Sequence, residues 1–267
     1  MIFSNSSTTR GDQPPAGRPR VVAPGIPSIV PMGLLVSVRN LDEANRIADR
    51  PIAILDVKEP GAGPLGAAST EIWQSIADRH GDSVVLSAAL GEYAQASKCA
   101  SGLPAEYRYA KMGCERTGST AQLCDRWAEL DELISPATEL VAVAYADHAA
   151  AQCSPAICIF EAAAASGYKT WLIDTFVKDG VSTIDHLGVE GLRRIDALAV
   201  EAGASWVLAG SVAIPVIDWL RRHELRPRYV GVRGAVCDGH RDGPLNATMV
   251  DNWLTSLPTT DHVSFQR

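Results

Sequence analysis

No unbroken apolar run in this chain approaches the about 18 residues that a membrane-spanning helix requires. No Cys-x-x-Cys pair occurs. The six cysteines, Cys99, Cys114, Cys124, Cys153, Cys158 and Cys237, are too sparse in 267 residues to form a disulfide scaffold. Cys153 and Cys158 lack nearby histidines suited to zinc, so all six are expected to be reduced, mostly as packing residues, and no metal site is expected. The chain also lacks a basic tract. A formal net charge of -7 argues against nucleic acid as a partner, and a phosphorylated ligand would need a local cationic pocket instead. Residues 1–31, rich in Ser, Thr, Pro, Gly and Arg, have no compact apolar core of a secretory signal. Asp12 and the repeated prolines disfavour an amphipathic transit helix, so this stretch reads as a disordered, flexible tail. The balance suits a cytoplasmic enzyme with a small-molecule substrate.

What the chain does contain is a regular alternation. Apolar residues make up 46% of it and charged residues 21%, enough for a large core. Short β-favouring runs fall at 33–38, 52–58, 84–90, 107–113, 139–145, 170–175, 205–210 and 229–236. Helical patterns follow them at 41–49, 69–79, 91–101, 119–133, 154–165, 189–202, 212–221 and 245–257, with Asn40 and either Ser69 or Thr70 placed as caps and Gly167 and Gly203 as stops. Eight β-then-α units without a composition break predict a single (βα)8 parallel barrel of the TIM type over 32–260. A doubly wound open sheet is the alternative.

In such a barrel the C-terminal ends of all eight strands meet at one mouth, so strand-end residues carry the functional reading. Asp56-Val57-Lys58-Glu59-Pro60 closes the second strand. Side chains two apart share a face, so Asp56 and Lys58 project together. Lys111 lies near the end of the fourth strand, Asp174 ends the sixth, and Lys178 follows in its loop. Three lysines and two aspartates thus converge. A lysine at the end of a buried strand is held neutral by desolvation and by neighbouring cations, which makes it a nucleophile for carbonyls. An aspartate or a second lysine can move the protons of carbinolamine and enamine steps. A plain ion pair ordering the core is the alternative for Asp56 and Lys58.

Two glycine-bearing strand ends point to phosphate. Ala209-Gly210-Ser211 leads toward a helix, and Gly231-Val232-Arg233-Gly234-Ala235 puts Arg233 at the last strand end. Loops after strands seven and eight are the habitual phosphate site of this fold. Gly210, Ser211, Arg233 and Gly234 are the candidate phosphate ligands. The same glycines also suit tight turns. Tyr145 and Asp147 close strand five, as pocket lining or as packing and capping. His240 and Arg241 sit in the loop after strand eight, as part of a closing loop or of a plain turn.

These segments together resemble the (5-formylfuran-3-yl)methyl phosphate synthase family of methanofuran-type C1 cofactor biosynthesis. The resemblance is carried by Leu34-Leu35-Val36-Ser37-Val38, by Asp56-Val57-Lys58-Glu59-Pro60 with Gly63-Pro64-Leu65-Gly66-Ala67, and by the Lys111 strand. Ile173-Asp174-Thr175 with Lys178-Asp179-Gly180, Leu208-Ala209-Gly210-Ser211 and Gly231-Val232-Arg233-Gly234-Ala235-Val236-Cys237 complete it. It implies a lyase that joins two molecules of glyceraldehyde 3-phosphate into a phosphorylated furaldehyde with loss of phosphate and water. Lys58 would form the Schiff base and Lys111 act as general acid/base, with Asp56, Asp174 and Lys178 completing the site. It implies no metal and no organic cofactor, and makes a homo-oligomer plausible. The cysteine-bearing loop Cys114-Glu115-Arg116-Thr117-Gly118 departs from the family pattern and puts the pocket edge there in doubt. Three other readings share parts of the site: another Schiff-base aldolase, a phosphosugar isomerase using Asp56 and Asp174, and a non-catalytic barrel partner.

Overall fold

Eight strands close on themselves in sequence order, each paired in parallel with its neighbours, in a computed structural model that describes Met1 and residues 31–258. The expected tail therefore lies largely outside the described residues. The elements run β1 (Gly33–Val38), α1 (Leu41–Asn45), β2 (Ile54–Val57), α2 (Thr70–His80), β3 (Leu86–Glu92), α3 (Ala96–Ala100), β4 (Tyr107–Gly113) and α4 (Thr120–Leu133). They continue with β5 (Glu139–Tyr145), α5 (His148–Ala151), α6 (Ala156–Ala165), β6 (Thr170–Asp174), α7 (Thr183–Ala202), β7 (Ser205–Leu208), α8 (Val216–Arg222), β8 (Tyr229–Val232) and α9 (Ala247–Ser256). This is the TIM-type barrel, and the seam is β8 on β1, where Gly33 pairs with Tyr229 and Val36 with Val232.

The strand alternation splits the apolar residues into two cores. Inward positions Leu35, Ile54, Ala89, Val141, Val143, Leu172 and Val207 fill the barrel. Outward positions such as Leu34, Leu55, Ala110 and Ile173 pack under the helices with Trp73, Trp127 and Trp253. Strands buried on both faces explain the near-continuous apolar runs in the sequence. Side-chain oxygens start the helices: Asn40, Ser69 and Ser119 accept from the third amide beyond, and Ser182 forms a reciprocal capping box with Asp185.

Several element bounds differ from the sequence reading: α1 ends at Asn45, α3 spans only Ala96–Ala100, and the short α5 was not expected. Three further differences bear on the mouth. The last strand stops at Val232 rather than running to 236, and a 3-10 turn spans Gly234–Val236. α7 starts at Thr183, six residues early, because a helical turn before Gly188 joins it across a kink at that glycine (φ 59°, ψ -177°). α8 starts at Val216 instead of directly after Ser211. Pro215 disfavours helical geometry at Ile214, so 211–215 remain a loop.

Candidate active site

The inward positions one layer above the barrel core are polar. The register aligns Ser37 with Asp56 and Asp56 with Ser87, so the carboxylate sits between two hydroxyl-bearing strands. Ser37 Oγ donates to Asp56 Oδ2 at 2.8 Å, and Lys111 Nζ reaches Asp56 Oδ1 at 2.5 Å. Asp56 is fully buried and Lys111 nearly so. Across the mouth, Lys178 Nζ donates to Asp174 Oδ1 at 2.7 Å and to Thr175 Oγ1 at 3.2 Å. Burial alone would push the Asp174 carboxyl up. The Lys178 and Lys58 charges and the bonds from Lys178 and the Thr175 amide outweigh it, holding the group below the usual carboxylate range.

Lys58 stands between these two pairs and belongs to neither. It is 7% exposed, and its Nζ donates only to the Pro64 carbonyl at 3.3 Å; no ion pair involves it among the described residues. Burial lowers its pKa to about 7. Asp174 and Asp56 pull it back toward the ammonium, while Lys178 and Lys111 push the other way. The loop that carries Pro64 is itself tied down: Glu59 N–H donates to Gly66 O at 2.8 Å, and Gly91 N–H donates to Leu65 O at 3.0 Å. A Cβ on Gly66 would come within 2.2 Å of the Glu59 carbonyl oxygen, so only glycine allows this turn.

Lys58, Lys111, Lys178, Asp56 and Asp174 all line one cavity of about 610 Å³ at the C-terminal end of the barrel. Gly210, Ser211, Arg233 and Gly234 line it too. The amides of Gly210, Ser211, Gly234 and Ala235 donate to no protein acceptor among the described residues. Ser211 adopts a left-handed φ of 53°, a strained choice for a non-glycine residue. A Cβ on Gly210 would lie 2.2 Å from Thr183 Oγ1 and 2.8 Å from Thr175 N.

Arg233 corrects its own expectation. Nε donates to Arg241 O, Nη1 to Ser37 O and Glu43 Oε2, and Nη2 to Glu43 Oε1 and Gly243 O. All five N–H groups of the guanidinium are committed, leaving none for a phosphate. The side chain instead pins the loop after β8 to β1 and α1. Glu43, its partner, was not singled out in the sequence. Burial raises the Glu43 carboxyl, but the bonds from Arg233 and Arg39 more than reverse this.

Two further positions resolve into support. Asp147 accepts from the amides of Phe176 and Val177 at 2.6 and 2.8 Å and so anchors the loop that carries Lys178. Tyr145 donates to the buried carboxylate of Glu92 at 2.6 Å and packs edge-on against Phe176. Burial raises the Glu92 pKa, and Tyr145 and the Glu115 amide only partly offset it. Neither Tyr145 nor Glu92 lines the cavity, and Glu92, which ends β3 but fell within the helical pattern expected at 91–101, was not singled out in the sequence. Cys114 is buried with its Sγ 3.5 Å from that of Cys153, away from the cavity lining, so the cysteine-bearing loop does not form the pocket edge. Among the described residues, no group of three or more His, Cys, Asp or Glu side chains is placed to hold a metal ion, and no helix is long and apolar enough to cross a membrane.

The fold is shared with phosphoribosyl anthranilate isomerase from Thermus thermophilus (TM-score 0.55, 14% identity, covering 84% of this chain and 99% of that one), a likeness of architecture alone. Sequence comparison is more specific. The (5-formylfuran-3-yl)methyl phosphate synthase of Methanococcus maripaludis strain C7 is 30% identical over 214 residues, 77% of this chain and 90% of the relative. Its counterpart in Methanosarcina barkeri strain Fusaro is 28% identical over 228 residues, 82% of this chain and 97% of the relative. The family model for 4-HFC-P synthase matches residues 34–254, spanning the barrel strands and all the cavity residues named above, and the chain belongs to that family of synthases.

Proposed function

We propose that this enzyme is a Schiff-base lyase that condenses two molecules of glyceraldehyde 3-phosphate into (5-formylfuran-3-yl)methyl phosphate, the product that the names of its relatives suggest. The observation that carries the reading is Lys58: a buried amine near neutrality, flanked by two Asp–Lys pairs that occupy both carboxylates. A lysine held as the free amine attacks an aldehyde carbon. The carbinolamine then loses water, and the resulting iminium accepts the electron pair released when a proton leaves the adjacent carbon. The hydrogen-bonded Lys111–Asp56 pair on the cavity wall, which offers both an acceptor and a donor, would take that proton and return it through Lys111. Asp174 and Lys178 form a second donor–acceptor pair for the carbonyl of the incoming triose.

The enamine carbon attacks the second aldehyde. Elimination of one phosphate, ring closure and dehydration then release the furan and free Lys58. Atom balance requires one phosphate and two waters to leave. The open amides of Gly210, Ser211 and Gly234 suit phosphate oxygens, since backbone N–H groups aimed into a cavity receive anions without a bulky side chain. The chemistry calls for no metal or organic cofactor.

Mass spectrometry after incubation with glyceraldehyde 3-phosphate and borohydride tests this, with furaldehyde absorbance and phosphate release followed in parallel. An adduct on Lys58 together with a furan product is expected. An adduct without furan would mean an ordinary aldolase, and no adduct on folded protein would remove the imine.

A further inference from the structure

With Arg233 fully committed, a cavity that takes phosphorylated trioses still needs a cation for the anion. Lys111 and Lys178 are each paired with an aspartate, and Lys58 gives up its proton at about 7. One guanidinium on the cavity wall remains. Arg241 is half-buried and forms no ion pair among the described residues, and its single side-chain bond is a long one, Nη2 to Gly63 O at 3.3 Å. Its Nε and Nη1 donate to no protein acceptor among the described residues.

The position of Arg241 is built rather than incidental. Arg233 Nε holds the Arg241 carbonyl at 2.8 Å, and Arg233 Nη2 holds Gly243 O at 3.1 Å, so the buried guanidinium fixes the backbone from which the other one projects. Gly243 N–H closes the turn onto His240 O at 2.8 Å. The root of the Arg241 side chain lies against Gly234, where a Cβ would be 3.5 Å from Arg241 Cβ, beside the open amides of Gly234 and Ala235. The tip reaches over to Gly63, one residue before the Pro64 carbonyl that receives Lys58. The guanidinium therefore bridges the loop of the last strand and the loop next to the reactive amine. Asp242 also lines the cavity but is exposed and pairs with neither arginine among the described residues.

We propose that Arg241, with the Gly234 and Ala235 amides, binds a substrate phosphate and sets the preference for phosphorylated over unphosphorylated aldehydes. A planar fork of donors beside backbone amides matches phosphate oxygens in pairs, which a lysine in the same place would not. This rests on the imine reading for its substrate, so the test separates the two. Borohydride trapping on Lys58 is measured against concentration for glyceraldehyde 3-phosphate and for glyceraldehyde, in the wild type, Arg241→Gln and Arg241→Lys. The ratio of half-saturating concentrations, about tenfold or more in favour of the phosphorylated aldehyde in the wild type, is expected to collapse toward unity in Arg241→Gln and to recover in part in Arg241→Lys. An unchanged ratio in Arg241→Gln would overturn the assignment while leaving the imine intact. If the wild type traps neither aldehyde, the imine reading falls, and calorimetric titration with inorganic phosphate still decides the role of Arg241. A Kd about tenfold weaker in Arg241→Gln supports the assignment, and an equal Kd overturns it.

Discussion

Lys58→Met removes the amine and keeps most of the buried stem, and its effect on stability can be worked through. In the folded protein Lys58 gives up its proton at about 7, because burial opposes the charge. In the unfolded chain it does so near the ordinary lysine value of about 10.4. Between those limits the unfolded chain binds one more proton than the folded one. Wild-type stability therefore rises with pH through that window, by about 1.4 kcal/mol per pH unit, and this contribution is flat below about pH 7. The methionine side chain of the variant titrates nowhere. The stability advantage of the variant over the wild type is thus largest at and below neutrality, and shrinks by about 2.3 kcal/mol between about pH 7 and about pH 9. With a urea m-value of about 3 kcal/mol/M, the two unfolding midpoints should converge by roughly 0.8 M across that range. Urea melts at a series of pH values provide the measurement, and the rate of borohydride trapping on the wild type should rise through about pH 7 in step. Parallel midpoint curves would mean that Lys58 keeps its proton to high pH as a paired ammonium. The neutral nucleophile would then be lost to the mechanism.

Lys111→Met should lower furan formation by about 10²- to 10⁴-fold while the Lys58 adduct still forms, read by absorbance and by trapping mass. Arg233→Ala takes both guanidinium bonds from the buried Glu43 carboxylate, leaving it only Arg39, and should cost about 3–5 kcal/mol in denaturant melts; the double change with Glu43→Gln should recover part of that loss. Gly210→Ala places a methyl against Thr183 Oγ1 and the Thr175 amide at a left-handed φ of 86°. It should raise KM for the phosphorylated aldehyde more than it lowers kcat, as steady-state kinetics would show.

The barrel was legible because each strand is buried on both faces and so reads as an apolar run ended by polar residues. Strands 33–38, 107–113 and 139–145 emerged with their observed bounds. The lysine and aspartate set was legible for a related reason: charged residues at the ends of such runs have no solvent to turn to. What sequence could not convey was pairing at a distance. Arg233 between glycines looks like an open phosphate ligand, and nothing local reveals that Glu43, 190 positions earlier, fills its fork. Arg241 stayed open between a closing loop and a plain turn because its neighbour, Gly63, lies 178 positions away. The start of α8 was misplaced for a local reason that was visible, the restriction Pro215 imposes on Ile214. Asp147 and Tyr145, left open between lining and support, serve as a loop cap and as a brace for a buried carboxylate.

The Arg233 clamp ties the loop after the strand made last to the strand made first, and the burial that lowers the Lys58 pKa exists only in the closed barrel. On a chain still emerging from the ribosome, the same lysine is wetted and protonated, with an ordinary affinity for its proton. Reactive aldehydes in the surrounding fluid would meet an inert ammonium. Under the proposed imine mechanism, the nucleophile would come into being only when both ends of the barrel have found each other, so the fold would also act as the safety catch on its own chemistry.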